Sequence, residues 1–462
     1  MTIDDAAKYF NAPEDVNLLT RTSELIFTSR ETVVVLDDDP TGTQTVHDVP
    51  VLTDWKVESL QAELAEGKEL VYVLTNSRSL PADEAQRINR EIGEHLSMAS
   101  KLTGRDVRVI SRSDSTLRGH YPLEIEELQQ ALKLEKATQV IVPAFMEGGR
   151  YTLEDVHYVQ EGKDLVPAAQ TPYAEDKVFG YQSSHLVDWI EEKYLNRIVR
   201  EQIKTLSISL IRDLYARQLA QWFIDLEAKV VVVNAASYYD LEKVALALRI
   251  AEQQGRDFIY RTAASFVKTY CAMQARPLLE QGDIKNGPHG GLIIVGSHIK
   301  KSSEQLKALL AFKEMKAIEV PVQDILADKA DALHLTKQLR EEMQSGRDVV
   351  IFTSREAVSG ESERDTLELA SKVSAFLVDI IQAIDIRPGY LIAKGGITSS
   401  DIATKALKVR RAVVKGQIYP GIPVWELGYE SPFPGMRYII FPGNVGEEDT
   451  LLQMVLKLNS GE

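Results

Sequence analysis

The chain has 462 residues, more than one hydrophobic core usually serves, since cores stop growing near ~250–300 residues; two domains are expected. Its 53 Lys+Arg against 68 Asp+Glu leave a net charge of −15, which argues against nucleic-acid binding through a basic face but not against a small anion held by a few arginines. With 44% hydrophobic and 26% charged residues it is neither fibrous nor disordered, and its apolar runs fall far short of the ~20 residues that span a bilayer. The start MTIDDAAKYF carries acids where a leader would carry lysine or arginine, and the single Cys271 excludes an internal disulfide, so a soluble cytoplasmic protein with no membrane partner is expected.

Along the chain, short β-branched runs alternate with amphipathic stretches. Strands are predicted at Thr32–Leu36, Val71–Leu74, Val107–Ile110, Gln139–Pro143, Ser207–Ile211 and Val230–Asn234. A second series is predicted at Leu292–Val295, Ala317–Val320, Val349–Thr353, Tyr390–Ala393, Arg411–Val414 and Tyr438–Phe441. Runs such as TVVVL, VVVV and LIIV suit parallel strands covered on both faces. The apolar spacing in Arg364–Ile386 predicts a helix, as does Ala263–Leu279, while Gln417–Gly428 reads as a loop in which Trp425 packs. The expected fold is α/β in two domains, each a mainly parallel sheet flanked by helices, with the active site in the cleft between them. The boundaries are an N-terminal extension over 1–30, a first domain over 31–261, a connecting helix and linker over 262–289, and a second domain over 290–458.

Four polar segments follow predicted strands of the first half, where parallel sheets place their ligand crevice. Asp37-Asp38-Asp39-Pro40-Thr41-Gly42-Thr43 follows TVVVL; three acids there can accept hydrogen bonds from hydroxyls, bind Mg²⁺ through oxygen, or act as a general base, although an acidic solvated turn has the same composition. Thr75-Asn76-Ser77-Arg78 follows VYVL, and Ser111-Arg112-Ser113-Asp114-Ser115-Thr116-Leu117-Arg118-Gly119-His120 follows VRVI. Arginine's planar fork suits a carboxylate or phosphate, so Arg78 and Arg118 are anion candidates, with Arg150 of PAFMEGGR a second clamp. Together these segments describe a pocket for a small, hydroxylated, anionic molecule. His120 and His157 lie near these loops, and no histidine spacing suggests zinc.

The second half has neither G-x-x-x-x-G-K-[ST] nor G-x-G-x-x-G. It has three other glycine turns at strand ends: Gly296-Ser297-His298, Lys394-Gly395-Gly396-Ile397-Thr398-Ser399, and Phe441-Pro442-Gly443-Asn444. Glycine lets backbone N–H groups approach a phosphate at a helix N-terminus, so a phosphate or nucleotide site is expected there, with Lys394 either a charge for it or a solvated side chain. Singly, each is also a tight connection.

The DDDPTG, DSTLRG, PAF…GGR, GGITS and FPGNVG segments stand in the order of the four-carbon acid sugar kinase family, which the chain resembles from about Glu31 to Leu458. The resemblance implies a first domain that binds the acid sugar and a second that binds ATP. It implies ATP- and Mg²⁺-dependent phosphorylation of the terminal hydroxyl of a substrate such as erythronate, threonate or 3-oxo-tetronate. By motif it implies substrate contacts at Asp38, Asp39, Thr41, Gly42, Ser77, Arg78, Asp114, Ser115, Thr116 and Arg118, with Asp39 or Asp38 taking or orienting the hydroxyl proton and Arg118 beside them. It implies cofactor contacts at Ser297, Gly395, Gly396, Ile397, Thr398, Gly443 and Asn444. No metal ligand is assigned, and a homodimer is the working expectation. Pro40, where the family favours an apolar residue, and Ile397, where an acid is frequent, depart from its pattern and bear on the substrate. Three alternatives stand beside this reading. One is a kinase of another hydroxy acid or a 4-hydroxythreonine-like amino acid; the others are a non-catalytic nucleotide sensor and an ATP-independent lyase or isomerase.

Overall fold

In the computed structural model, described for residues 1–460 except 298, 313, 356–362 and 444 and without the side chains of 363–367, the apolar runs become strands whose side chains are buried on both faces. The chain divides into a first unit, residues 1–45 and 54–275, and a second, residues 46–53 and 276–462. Both are α/β.

The first unit opens with strand β1 (Glu31–Asp37). The chain then leaves it to form β2 (Val49–Leu52) in the second unit, and returns for β3 (Leu70–Leu74) and β4 (Asp106–Arg112). After β5 (Thr138–Val142), three short antiparallel strands, β6 (Arg150–Leu153), β7 (Val156–Glu161) and β8 (Asp164–Pro167), form a separate small sheet. Then come β9 (Ile203–Leu206), β10 (Val230–Val233) and β11 (Phe258–Thr262). The large sheet runs β3-β1-β4-β11-β5-β10-β9, all parallel. Val33, Val34, Val35, Val230, Val231 and Val232 are almost fully buried, and each such side chain contributes about 1.5–3 kcal/mol of transfer free energy.

The second unit holds β12 (Leu292–Val295), β13 (Lys316–Val320), β14 (Val349–Thr353), β15 (Leu391–Lys394), β16 (Arg411–Tyr419), β17 (Ile422–Leu427) and β18 (Arg437–Phe441). Their order is β13-β14-β12-β15-β18-β17-β16-β2, parallel as far as β18 and antiparallel beyond. Ile293, Val295, Ile392, Ile439 and Phe441 form its core with Leu309 and Val455 of the covering helices.

Several expectations are corrected. Ser207–Ile211 is not a strand: Ser207 Oγ accepts from Leu210 N at 3.2 Å and opens the helix Ile208–Asp213, and the strand is the preceding Ile203–Leu206. Gln417–Gly428 is not a loop but the turn and second arm of the β16–β17 hairpin, in which Trp425 is fully buried. The helix after β11 ends at Tyr270 rather than Leu279. The first 30 residues do not stand apart. Ile3 N donates to Lys163 O at 2.9 Å, and Leu18 packs with Ala216 and Leu246. Arg212, paired with fully buried Asp240 at 2.8 Å, also donates to Tyr9 O at 2.6 Å.

Segment 46–53, expected in the first domain, belongs to the second unit, where its strand β2 pairs antiparallel with β16. Leu52, Val51, Pro50 and Val49 stand opposite Arg411, Ala412, Val413 and Val414. Val51 is 1% exposed. Val51→Asp therefore puts a carboxylate into apolar surroundings and should destabilise the second unit by at least about 3 kcal/mol. Hydrogen exchange should show 411–419 losing protection while 230–233 keeps it; unchanged protection at 411–419 would refute the pairing.

Candidate functional site

Parallel register lines up the strand ends. Asp37 closes β1 beside Leu74 of β3 and Arg112 of β4, and Arg112 lies beside Thr262 of β11. The chain goes from β1 to β3 on one side and then to β4 on the other, so β1 is the topological switch point, where open α/β sheets bind ligands. The acidic segment sits there because TVVVL can be buried and DDD cannot without cations.

The cations are arginines. Arg112 Nη1 lies 2.9 Å from Asp37 Oδ1 and 3.5 Å from Asp38 Oδ1. Arg78 grips Asp38 with two bonds, Nη2 to Oδ1 at 2.5 Å and Nε to Oδ2 at 3.1 Å. Its remaining Nη1 lies 3.5 Å from Asp39 Oδ2 and 3.9 Å from Asp114 Oδ1. Arg118 Nε donates to Asp114 Oδ2 at 2.8 Å, and its Nη1 is 3.5 Å from Asp176 Oδ2. Burial, with Asp38 and Asp39 adding to it, pushes the Asp37 carboxyl up to about 7 against the pull of Arg112. For Asp114 burial acts the same way, but Arg118 and Arg78 outweigh it and hold its carboxyl well below the usual range.

Asp39 caps the short helical turn Pro40–Thr43, its Oδ1 accepting from Thr41 N at 2.8 Å. A Cβ on Gly42 would lie 2.1 Å from Asp37 Oδ2, so glycine is required by the approach of the turn to that carboxylate. Ser77 is fully buried and its hydroxyl donates to Glu124, so it supports the loop rather than presenting a free group. His157, also fully buried, bonds Ser115 O through Nε2 at 2.7 Å and Thr152 Oγ1 through Nδ1 at 3.0 Å. His120 Nε2 faces Leu80 O at 3.0 Å and Ser77 O at 3.2 Å. Both histidines fasten loops. Arg150 starts β6, donates to Gly148 O and pairs with no carboxylate among the described residues; it is not brought into contact with Asp38, Asp39 or Arg78.

Sequence reasoning missed Arg261 and Glu124. Arg261, next to last in β11, is 4% exposed and donates to Ser113 Oγ at 2.9 Å and Arg118 O at 3.1 Å, with Glu124 Oε2 4.0 Å away. The signal was FIYRT read as a strand, which would have put Arg261 at a strand end like Arg112. Asp176 carried no signal.

In the second unit Val295, Lys394 and Phe441 stand abreast, so the three glycine turns start together. Here β12 is the switch strand, with β14 on one side and β15 on the other. Gly395 has φ +113°, and a Cβ there would lie 2.7 Å from Ser297 Cβ. A Cβ on Gly443 would lie 3.6 Å from Ser297 Oγ, and one on Gly296 would lie 2.4 Å from Thr398 Oγ1. Ser297, Gly395, Thr398 and Gly443 thus come together. Gly396 opens the helical turn Gly396–Asp401, and Ile397 is 48% exposed. His298 and Asn444 lie outside the described residues. Lys394 is not a solvated lysine. It is fully buried over the Phe441 ring, and its Nζ donates to Pro442 O at 2.5 Å and Gly443 O at 3.3 Å. Burial, with Lys301 nearby, holds its pKa well below the lysine range. Arg355, which the sequence did not single out, donates to Ser297 O at 2.6 Å.

Burial lowers the His157 pKa to about 4, against about 6.5 in an unfolded chain. Between those values the unfolded state binds the extra proton, so stability falls as pH drops from 6.5 towards 4 and is fully present above 6.5. His157→Gln, which can still donate to Ser115 O, should flatten the pH dependence of urea unfolding in that window by up to roughly 3 kcal/mol. Identical pH profiles would show that His157 does not titrate there.

Comparison with known proteins finds two family models along the chain. Residues 33–270 match the family model described as a sugar-binding N-terminal domain, and residues 292–451 the one described as a nucleotide-binding C-terminal domain. No curated protein matches. Among solved structures, a Haemophilus influenzae protein is 16% identical over 92% of this chain and 99% of its own, with a TM-score of 0.61. A Salmonella typhimurium LT2 protein provisionally named a tRNA synthase is 18% identical over 93% and 99%, with a TM-score of 0.67. At such identities these two show the fold. Among the described residues no helix is long and apolar enough to cross a membrane. The first family model covers more than half of the chain, which therefore belongs to the family of the sugar-binding N-terminal domain, followed here by its nucleotide-binding C-terminal domain.

Proposed function

We propose that the protein is a four-carbon acid sugar kinase, transferring the γ-phosphate of ATP to the terminal hydroxyl of an erythronate-, threonate- or 3-oxo-tetronate-type acid. The observation that carries this reading is the pair of switch points. One is lined by carboxylates and arginines in the unit matched as sugar-binding, the other by glycine turns and hydroxyls in the unit matched as nucleotide-binding.

The two adjacent aspartates take different roles. Asp38 is 3% exposed and consumed by Arg78, so it positions that guanidinium. Asp39 keeps Oδ2 in only a long contact with Arg78, at 3.5 Å, and is the group able to accept the hydroxyl proton. Arg78 Nη1, between Asp39 and Asp114, and Arg118 offer N–H groups to the acid's hydroxyls and carboxylate. Arg150, free of carboxylates, would take an anionic end from the β6 side. In the second unit Ser297, Thr398 and the backbone of Gly395, Gly396 and Gly443 would hold the phosphates. Ile397, exposed on the same turn, would contact the nucleotide.

The Asp37–Asp39 row does not fit a cation cage, because Arg78 and Arg112 already occupy it. No three-ligand metal cluster is found among the described residues. That donor set suits Mg²⁺ carried in on the phosphates, where it would neutralise developing charge.

ADP release should be measured with Mg²⁺-ATP across erythronates, threonates, 3-oxo-tetronates and 4-hydroxythreonine. Release that depends on one four-carbon acid is expected, and Asp39→Asn should lower kcat at least about 100-fold with little change in KM. Near-wild-type kcat in that variant would remove Asp39 as the base. ATP binding without turnover of any acid would favour a sensor, and conversion of an acid without nucleotide a lyase.

A further inference from the structure

The N-terminal extension builds a cavity of its own. The helices Asn17–Thr28, Ala216–Ile224 and Tyr238–Gln253 line, with Asp213 and Tyr215, a solvent-open cavity of about 500 Å³, within the size range of small-molecule sites. Its lining is basic in a chain of net charge −15. Arg21 comes from the extension, Arg217 from the first turn of Ala216–Ile224, and Lys243 from the buried side of Tyr238–Gln253.

These three cations differ from Arg212, which also lines the cavity but is neutralised by Asp240. Arg21, Arg217 and Lys243 have no carboxylate partner among the described residues. Lys243 is 6% exposed, and its Nζ donates to the neutral Arg212 O at 3.0 Å and Tyr239 OH at 3.2 Å and lies over the Tyr239 ring. A buried ammonium held by neutral groups alone lacks the compensation that buried charges normally find, and an anion in the cavity supplies it. The N-terminus of Ala216–Ile224, where Gln218 Oε1 accepts from Tyr215 N at 2.9 Å, adds positive potential beside Arg217. Asp15 and Asp213, both exposed, are the only acids in the lining, and Asp15 Oδ1 is already bonded to Asn17 N at 3.0 Å.

The cavity is separate from the aspartate–arginine cluster. None of its lining residues belongs to that cluster. We infer that it is a second ligand site, taking a small phosphate-bearing molecule, and that the extension exists to complete it. A ligand there bridges Arg21 of the extension to Arg217 and Lys243 of the sheet's own helices, so occupancy fastens the extension in place. This inference does not rest on the kinase reading.

The test is calorimetric titration of inorganic pyrophosphate, with citrate as the carboxylate comparator, into the full chain and into R21A/R217A. Both replaced arginines are exposed, and circular dichroism checks that the variant is folded. A binding step in the wild type that the variant weakens about tenfold or more is expected, with citrate binding more weakly. Equal isotherms for the two proteins, or no step in the wild type at tens of millimolar, would overturn the site. A step with citrate but none with pyrophosphate would overturn the phosphate assignment. Loss of the kinase reading would leave all of these outcomes unaffected.

Discussion

The first unit is organised around the need to neutralise acids that a buried strand delivers to its own end. Asp37 and Asp38 are 2% and 3% exposed, and an ionised carboxylate in such surroundings is strongly disfavoured without a partner. Partners must come from neighbouring strands, since β1 supplies none. The loop after β3 provides Arg78 and the end of β4 provides Arg112. Those guanidiniums must themselves be held at a fixed angle. That requirement explains why Gly42 has no room for a side chain and why Ser77, Glu124 and His120 bind one another's loops instead of facing solvent. After this pairing Asp39 and one edge of Arg78 are left the least engaged, 3.5 Å from each other.

The second unit solves a related problem with the opposite materials. Its strand ends carry glycines and hydroxyls rather than acids, and its basic side chains there are turned inward onto carbonyls. Lys394 reaches Pro442 O and Gly443 O, and Arg355 reaches Ser297 O. A carbonyl engaged from inside is fixed in direction, and so is the N–H of the following peptide, because the peptide is planar. The glycine turns are therefore set by the N–H groups of Lys394 and Arg355 that point inward onto these carbonyls.

Much of this was legible in the sequence, and the misses share physical causes. Buried parallel strands announce themselves because both faces must be apolar, so TVVVL, VVVV and LIIV were placed correctly. Ser207–Ile211 failed because ISLI is equally apolar as a first helical turn, and only the capping role of Ser207 decides between the two. FIYRT hid a strand behind its polar end, and with it Arg261. The half-buried strands Arg150–Leu153, Val156–Glu161 and Asp164–Pro167 carry too many polar residues to stand out. At the candidate site, composition pointed to loops that the fold brings together, but the different situations of Asp38 and Asp39 depend on which one Arg78 reaches, and that is set by the packing of β3 against β1.

The excursion of residues 46–53 has a consequence for how this molecule can be divided. Each unit is built from two separate pieces of chain, so no single cut yields two self-sufficient fragments. A polypeptide beginning at Arg276 would contain β16 without β2, leaving the backbone groups of Arg411–Val414 on that side unpaired along an open sheet edge. Such an edge invites pairing with a second copy, so this fragment should self-associate where the intact chain does not use that edge. During synthesis the same arithmetic makes β2 wait, without its partner strand, for some 360 residues to follow it, because β16 begins only at Arg411. The second unit cannot close its sheet until the last part of the chain has emerged.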